Sequence, residues 1–254
     1  RDIESLVRFL LILAILGLNC CNLFKDGTLD DSTPLLLLEE IQLDISEPSG
    51  LSIDTEGATL FCVNDPPNNQ VHQLDLAGEL KSTFSYTGND LEGVCFDPRD
   101  NSVWIIEEGR GQLIHLSASG DFITQTEVDY QLNSNSGLEG VAFNVETQGF
   151  LVLKEKNPAV VIQVDSTLLT QASKIIDFAS DISGICPGRN QGEFLIISDD
   201  DKRLFEWSWD EGISATYSFD IKQAEGVAYD PASGRIYIVC DADAKLYIYD
   251  FPND

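Results

Sequence analysis

From residue 35 onward, apolar positions come in short runs of about four to seven, separated by polar turns rich in Asp, Asn, Gly and Pro. No helical period competes with them. Runs of this length bounded by turn residues predict β-strands. The runs also repeat. Pro48-Ser49-Gly50-Leu51, Leu91-Glu92-Gly93-Val94, Leu138-Glu139-Gly140-Val141, Ile182-Ser183-Gly184-Ile185 and Ala224-Glu225-Gly226-Val227 share one phrase, at steps of 43, 47, 44 and 42 residues. A fixed period in this range marks an array or a propeller.

Each unit has the same grammar. The glycine-containing strand runs into a turn such as Asp97-Pro98-Arg99-Asp100-Asn101 or Asp230-Pro231-Ala232-Ser233-Gly234. There Asp caps, Pro presets φ, and Gly or Asn accepts a positive φ. A second, wholly apolar strand follows: Leu60–Val63, Val103–Ile106, Phe150–Leu153, Phe194–Ile197 and Ile236–Val239. A third alternates (70–76, 112–116, 160–164, 204–209, 245–249). A weaker fourth is visible in most units, as at Phe84–Tyr86 and Tyr217–Phe219. Four strands in a unit of this length make a propeller blade. The last unit has room for three strands before the chain reaches Asp254, and an unassigned strand, 36–45, precedes the first unit. Placed as the outer strand of the last blade, it would close the ring and leave no raw sheet edge. The expected fold is therefore all-β: a five-bladed β-propeller of four-stranded blades over 35–254, closed by its N-terminal strand.

The inner strand of a blade lines the axis, so the position before each repeated glycine bears on chemistry. It holds Ser49, Glu92, Glu139, Ser183 and Glu225. If these face the channel, Glu92, Glu139 and Glu225 converge. Their repulsion and desolvation must be offset by protons, a base or a cation. No Lys or Arg stands in this column. Oxygen donors without His or Cys suit a hard ion, Ca²⁺ before Mg²⁺. The chain has only His72 and His115, which argues against a multi-histidine zinc site. Alternatively, the glutamates could bond backbone N–H groups of neighbouring blades and staple the ring. A second acidic column, Asp65, Glu108, Glu155, Asp199 and Asp241, follows the second strands. It reads as turn caps or solvated loop positions, with a rim of ligands as the alternative.

The N-terminus differs from all this. Arg1 and Arg8 flank the apolar run Phe9–Leu18, which precedes Cys20 and Cys21. The run is too short for a comfortable membrane-spanning helix and fits the core of an export signal. Leu18, three residues before Cys21, resembles a bacterial lipoprotein signal with Cys21, or else Cys20, as the lipidated residue. Residues 1–21 are thus expected to be a signal and 22–34 a polar tether. The expected location is the cell envelope, membrane-anchored, or the periplasm or exterior, with membrane contact only through that N-terminus. Cys62, Cys95, Cys186 and Cys240 form no C-x-x-C pair and are expected as small buried thiols. A net charge of −28 excludes nucleic acid and anionic lipid as partners. There is no G-x-S-x-G, and no residue can be assigned a catalytic role.

LEGVCFDPRDNSVWIIEE, LEGVAFNVETQGFLVLKEKNP and AEGVAYDPASGRIYIVCD resemble the SdiA-regulated family of exported or membrane-anchored bacterial proteins. The resemblance covers about 35–254, with KEKNP and the repeated EGV phrase its most specific marks. It implies a five-bladed propeller distantly related to NHL repeats, with a calcium site suggested for it and no established activity. Carried over by motif, Glu92, Glu139 and Glu225 are the metal candidates; Ser49 and Ser183 break the pattern. The reading that results is a monomeric, calcium-binding envelope propeller that takes an unidentified protein or small-molecule ligand on one face. Whether it is an enzyme stays open. The first alternative is a calcium-dependent hydrolase acting on esters, lactones or phosphoesters at the axial channel. The second is a metal-free structural propeller.

Overall fold

A computed structural model describes residues 32–130 and 137–252. The expected signal at 1–21 and residues 22–31 of the expected tether lie outside the described residues. Among the described residues, no helix is long and apolar enough to cross a membrane.

Two N-terminal strands, β1 (Thr33–Pro34) and β2 (Leu36–Gln42), precede the first blade. Blade 1 comprises β3 (Pro48–Ile53), β4 (Leu60–Asn64), β5 (Gln70–Leu74) and β6 (Leu80–Thr87). Blade 2 comprises β7 (Leu91–Asp97), β8 (Ser102–Glu107), β9 (Gln112–Leu116) and β10 (Phe122–Glu127). Blade 3 comprises β11 (Leu138–Asn144), β12 (Gly149–Lys154), β13 (Val160–Val164) and β14 (Thr170–Ile175). Blade 4 comprises β15 (Gly184–Pro187), β16 (Glu193–Ser198), β17 (Arg203–Ser208) and β18 (Gly212–Ser218). Blade 5 comprises β19 (Ala224–Asp230), β20 (Arg235–Cys240) and β21 (Lys245–Asp250), with β2 antiparallel to β21 as its outer strand.

The ring is therefore closed as the strand count requires. The N-terminal strand ends at Gln42, short of the expected 45. One addition was not expected. Thr33 and Pro34, read as the end of the tether, pair in parallel with Tyr217 and Ser218 on the outer edge of blade 4. Leu35 lies between the two strands, and its N–H donates to the Ser218 carbonyl at 2.9 Å. A single extended segment thus edges blade 4 and then blade 5.

Burial explains why some strands were easy to read. The second strands are buried on both faces, because each blade is sandwiched between two others, so their central residues are apolar. Outer strands such as β10 and β14 are mostly exposed, and their sequences are correspondingly polar and indistinct. Five apolar clusters fill the molecule, one at each of the five blade interfaces. Cys62, Cys95, Cys186 and Cys240 are buried free thiols within them.

The inner strands adjoin in a circuit, β3, β7, β11, β15, β19 and back to β3. The repeated glycine makes that circuit possible. A Cβ on Gly50 would lie 2.4 Å from the Glu92 carbonyl oxygen, on Gly93 2.4 Å from that of Glu139, on Gly184 2.6 Å from that of Glu225, and on Gly226 2.4 Å from that of Ser49. These neighbours are backbone and cannot rotate away. Gly93→Ala is expected to destabilise the protein by ~1–3 kcal/mol through forced separation of blades 2 and 3. Urea unfolding checks this, and a parent-like midpoint would contradict the packing argument.

Candidate metal centre

The step from the column residue to its glycine is where the inner strand leaves its ladder. Register shifts fall between Pro48 and Leu51, Leu91 and Val94, Leu138 and Val141, and Ala224 and Gly226. A bulge of this kind bends the strand and re-aims a side chain. Three blades add a left-handed residue two places earlier, Glu47, Asp90 and Gln223, at φ 49°, 62° and 57°. Such backbone is unfavourable for a residue with a Cβ and clusters at functional sites. In blade 2 it is held by Asn69, whose Oδ1 accepts from the N–H groups of Asp90 (2.8 Å) and Leu91 (3.3 Å).

The consequence is convergence. Glu92, Glu139 and Glu225 all line one axial cavity, together with Ser183 and the glycines and apolar residues that follow the column. The cavity is about 10 Å³, room for roughly one water-sized sphere. Ser49 joins by donating from Oγ to Glu92 Oε2 (2.7 Å) and to the Glu92 carbonyl (3.0 Å). Ser183 Oγ donates across the next interface to the Ala224 carbonyl (2.7 Å). The two serines that break the acidic pattern therefore link blades 1 to 2 and 4 to 5. By contrast, the Glu139 and Glu225 carboxylates accept no hydrogen bond from a described residue.

The second acidic column closes around the same mouth. Each member is the residue that follows a second strand: Asp65, Glu108, Glu155, Asp199 and Asp241. The turn-cap reading of this column is too small. Glu108 Oε1 accepts from the Gly137 N–H (3.0 Å) and Asp199 Oδ1 from the Ala224 N–H (3.0 Å), so these two acids link neighbouring blades. Backbone N–H groups of a neighbouring blade are thus bonded by these outer acids and not by the inner glutamates. Oxygens of Asp90, Glu92 and Glu108 lie within 4.8 Å of one another, whereas Glu92, Glu139 and Glu225 line one cavity without forming so close a set among the described residues. Asp65 Oδ1 and Asp241 Oδ1 are buried and accept from no N–H or hydroxyl of a described residue, while Asp65 faces Glu92 and Asp241 faces Glu47 closely enough for carboxyl to bond carboxyl when one is protonated.

So many carboxylates in one place alter each other's chemistry. Burial, then the charges of Asp65, Glu108 and Glu225, push Glu92 up to about 9 despite the Ser49 hydrogen bond. Burial and the charges of Asp199, Asp241 and Asp65 push Glu225 up to about 8. Glu139, facing Glu92, Glu108, Glu155 and Glu225, is raised well above the carboxylate range, again with burial as the larger cause. Burial and the nearby Asp90 and Asp241 raise Asp65 to about 7; burial and Glu47 raise Asp241 to about 6. The cluster cannot ionise completely on its own. Oxygen-only donors, orphaned buried oxygens and a pocket of one-sphere size are the features a hard cation takes up.

Lys156 is the basic group set against this mouth. It pairs with Glu155, and the charges of Glu139 and Asp181 also favour its protonated form. It belongs to the KEKNP turn, in which buried Lys154 donates from Nζ to the carbonyls of Lys156 and Pro158, the latter at 3.0 Å. The two histidines lie elsewhere, on third strands. His72 contacts Thr83 and Asn64, and His115 contacts Ser102 at 2.6 Å. Sequence reasoning missed Glu47 and Asp90. The available signal was a non-glycine residue two places before the column, where the chain must turn into the axis.

The profile of the family described as SdiA-regulated matches residues 36–248. The chain belongs to the SdiA-regulated family. Its fold is shared more widely. Glutaminyl cyclase of Myxococcus xanthus is similar at 13% identity and a TM-score of 0.64, over 87% of this chain and all (100%) of that one. A streptogramin B lyase is similar at 13% identity and a TM-score of 0.53, over 84% of this chain and 97% of that one. At such identity the likeness concerns the fold alone. Within the SdiA-regulated chain, both most specific sequence marks, the EGV phrase and KEKNP, meet at the acidic mouth.

Proposed function

We propose that this SdiA-regulated protein is a calcium-binding propeller of the cell envelope that receives a ligand at the acidic end of its axis. The observation that carries the reading is the double ring of carboxylates around a one-sphere cavity, with Glu139 and Glu225 left without hydrogen-bond partners among the described residues. Glu92, Glu139 and Glu225 would hold the ion, with Asp65 and Asp241 supplying their orphaned oxygens from the outer ring. The ion would offset the repulsion between blades and offer a Lewis-acidic point to an oxygen of the incoming molecule. Lys156, on the rim, adds a second positive contact for an anionic or carbonyl-bearing group. The Cys21 or Cys20 lipid anchor belongs to this proposal and would hold the propeller at a membrane.

Titration calorimetry of the ion-stripped protein tests the ion. One Ca²⁺ per chain is expected, with protons released on binding because the raised carboxyls must ionise. Glu139→Gln is expected to weaken binding at least tenfold. A protein that binds no Ca²⁺, or binds it equally well after that substitution, would sink the reading.

A hydrolase remains the second reading, on one observation. Asp65 and Asp241, raised to about 7 and about 6, are poised for proton transfer near neutral pH. That the two similar folds are named as a lyase and a cyclase is compatible with chemistry at this site. Ester, lactone and phosphoester turnover abolished by Glu139→Gln would establish it; absence of turnover across those panels would remove it.

A further inference from the structure

The far end of the axis is the chemical opposite of the acidic mouth. The inner strands pass from the carboxylate column through the glycine to a plug that includes Leu51, Val94, Val141, Ile185 and Val227. Three to five residues beyond the column, about 10–15 Å along a strand, they open into a second cavity of about 390 Å³. Val141 and Ile185 line both cavities and form the floor of the second. Its walls include Ile53, Phe96, Phe143 and Tyr229, and its edge includes Pro98, Pro187 and Pro231. All five blades contribute.

We propose that this cup is a binding site for a neutral, largely apolar small molecule that carries one hydrogen-bond acceptor. Four observations point to that occupant. The volume falls at the lower end of the ~300–1,000 Å³ range of small-molecule sites. The cup is concave and floored by the axial plug, a shape that takes a compact ligand. Of the residues that line it, Asp54 alone carries charge; the neighbouring Arg99 is neutralised by Asp97 at 2.6 Å while its guanidinium covers the Phe143 ring at 4.9 Å, and Arg189, beside Gly188 and near Tyr229, is engaged by Glu206 at 3.7 Å and by the Pro252 carbonyl. An anion would therefore find no uncommitted base there. Finally, the Tyr229 hydroxyl makes no hydrogen bond to a described residue, which leaves a donor at the wall. Pro98 and Pro231 fix φ in two of the bordering turns and Pro187 fixes it at the end of β15, so little ordering is needed on binding. This site is independent of any ion at the other end.

The test uses the neutral fluorophore N-phenyl-1-naphthylamine with the purified full-length chain. Saturable binding of one probe per chain is expected. Val145, at the edge of the cup, is 50% exposed, so Val145→Asp is tolerated by the fold and is expected to weaken the probe at least tenfold. Leu169, 62% exposed on the turn before β14, is the control, and Leu169→Asp should leave binding unchanged. The anionic 8-anilinonaphthalene-1-sulfonate should bind at least tenfold more weakly, and stripping Ca²⁺ should not alter the neutral probe's affinity. No saturable binding, equal loss in both variants, or no loss in Val145→Asp would overturn the proposal. Equal affinity for the sulfonate would overturn its ligand class.

Discussion

Stripping divalent ions from the SdiA-regulated propeller is expected to lower its thermal midpoint by about 5–10 °C, and Ca²⁺ is expected to restore it. The size follows from mass action. An ion that binds only the folded state, at a hundred times its Kd, adds about 2.7 kcal/mol. For a domain of this length each kcal/mol moves the midpoint by roughly 2–4 °C. The mechanism is specific to this ring. Glu92, Glu139 and Glu225 come from blades 2, 3 and 5, so an ion among them would tie non-adjacent blades. Unfolding would separate the donors completely. Mg²⁺, smaller and reluctant to lose water, should restore less. Glu139→Gln should abolish the Ca²⁺ response and leave a midpoint insensitive to chelation. An unchanged midpoint in the parent protein, with or without millimolar Ca²⁺, would show that the carboxylates are balanced by protons alone.

The second large effect is a reversed pH dependence. Most proteins lose stability below neutrality because paired carboxylates must be protonated. Here the ring acids have folded-state values raised above their ordinary ones, with Glu225 moved from 4.5 to about 8 and Glu92 to about 9. Between those limits the folded state holds protons that the unfolded chain has released. The contribution of these two acids to stability is therefore fully present below about pH 4.5 and is lost as the pH climbs toward 9. The ion-stripped protein should have a larger unfolding free energy in urea titration at pH 5.5 than at pH 8.5, by on the order of 2–4 kcal/mol, since coupled groups share protons rather than add. The general surplus of negative charge acts in the same direction. The double substitution Glu92→Gln with Glu225→Gln separates the two causes, because it should flatten the slope while leaving most of the charge in place. With Ca²⁺ present the slope should shrink or invert, as the ionised ring is then the form that binds. A metal-free protein that gains stability over this interval would contradict the electrostatic description of the site.

These expectations rest on residues whose legibility varied for physical reasons. The blade count and the glycine column were readable because each is repeated, and the N-terminal closing strand because the last unit lacks a fourth strand. A strand buried on both faces has to be apolar, as Leu151, Val152 and Leu153 are. A strand whose neighbour's carbonyl sits 2.4 Å from the would-be Cβ has to be glycine, as Gly93 is. The strand Thr33–Pro34 was not legible, since two residues paired at an exposed edge carry no apolar signature. Asp65 and Asp241 looked like ordinary turn acids, because an acid that follows a strand is most often solvated.

The sequence by itself determined the architecture and one axial column, because period and burial leave a mark at every blade. It also determined that Glu92, Glu139 and Glu225 stand at equivalent places. Only the tertiary structure decided what surrounds them. The outer acids are tens of residues apart along the chain, and closing the ring brings them to one mouth. Burial first, and then the charges of neighbouring acids, raises their proton affinity. The apolar cup at the other end has the same origin: its walls come from five separate strands, and no one of them differs from an ordinary core segment.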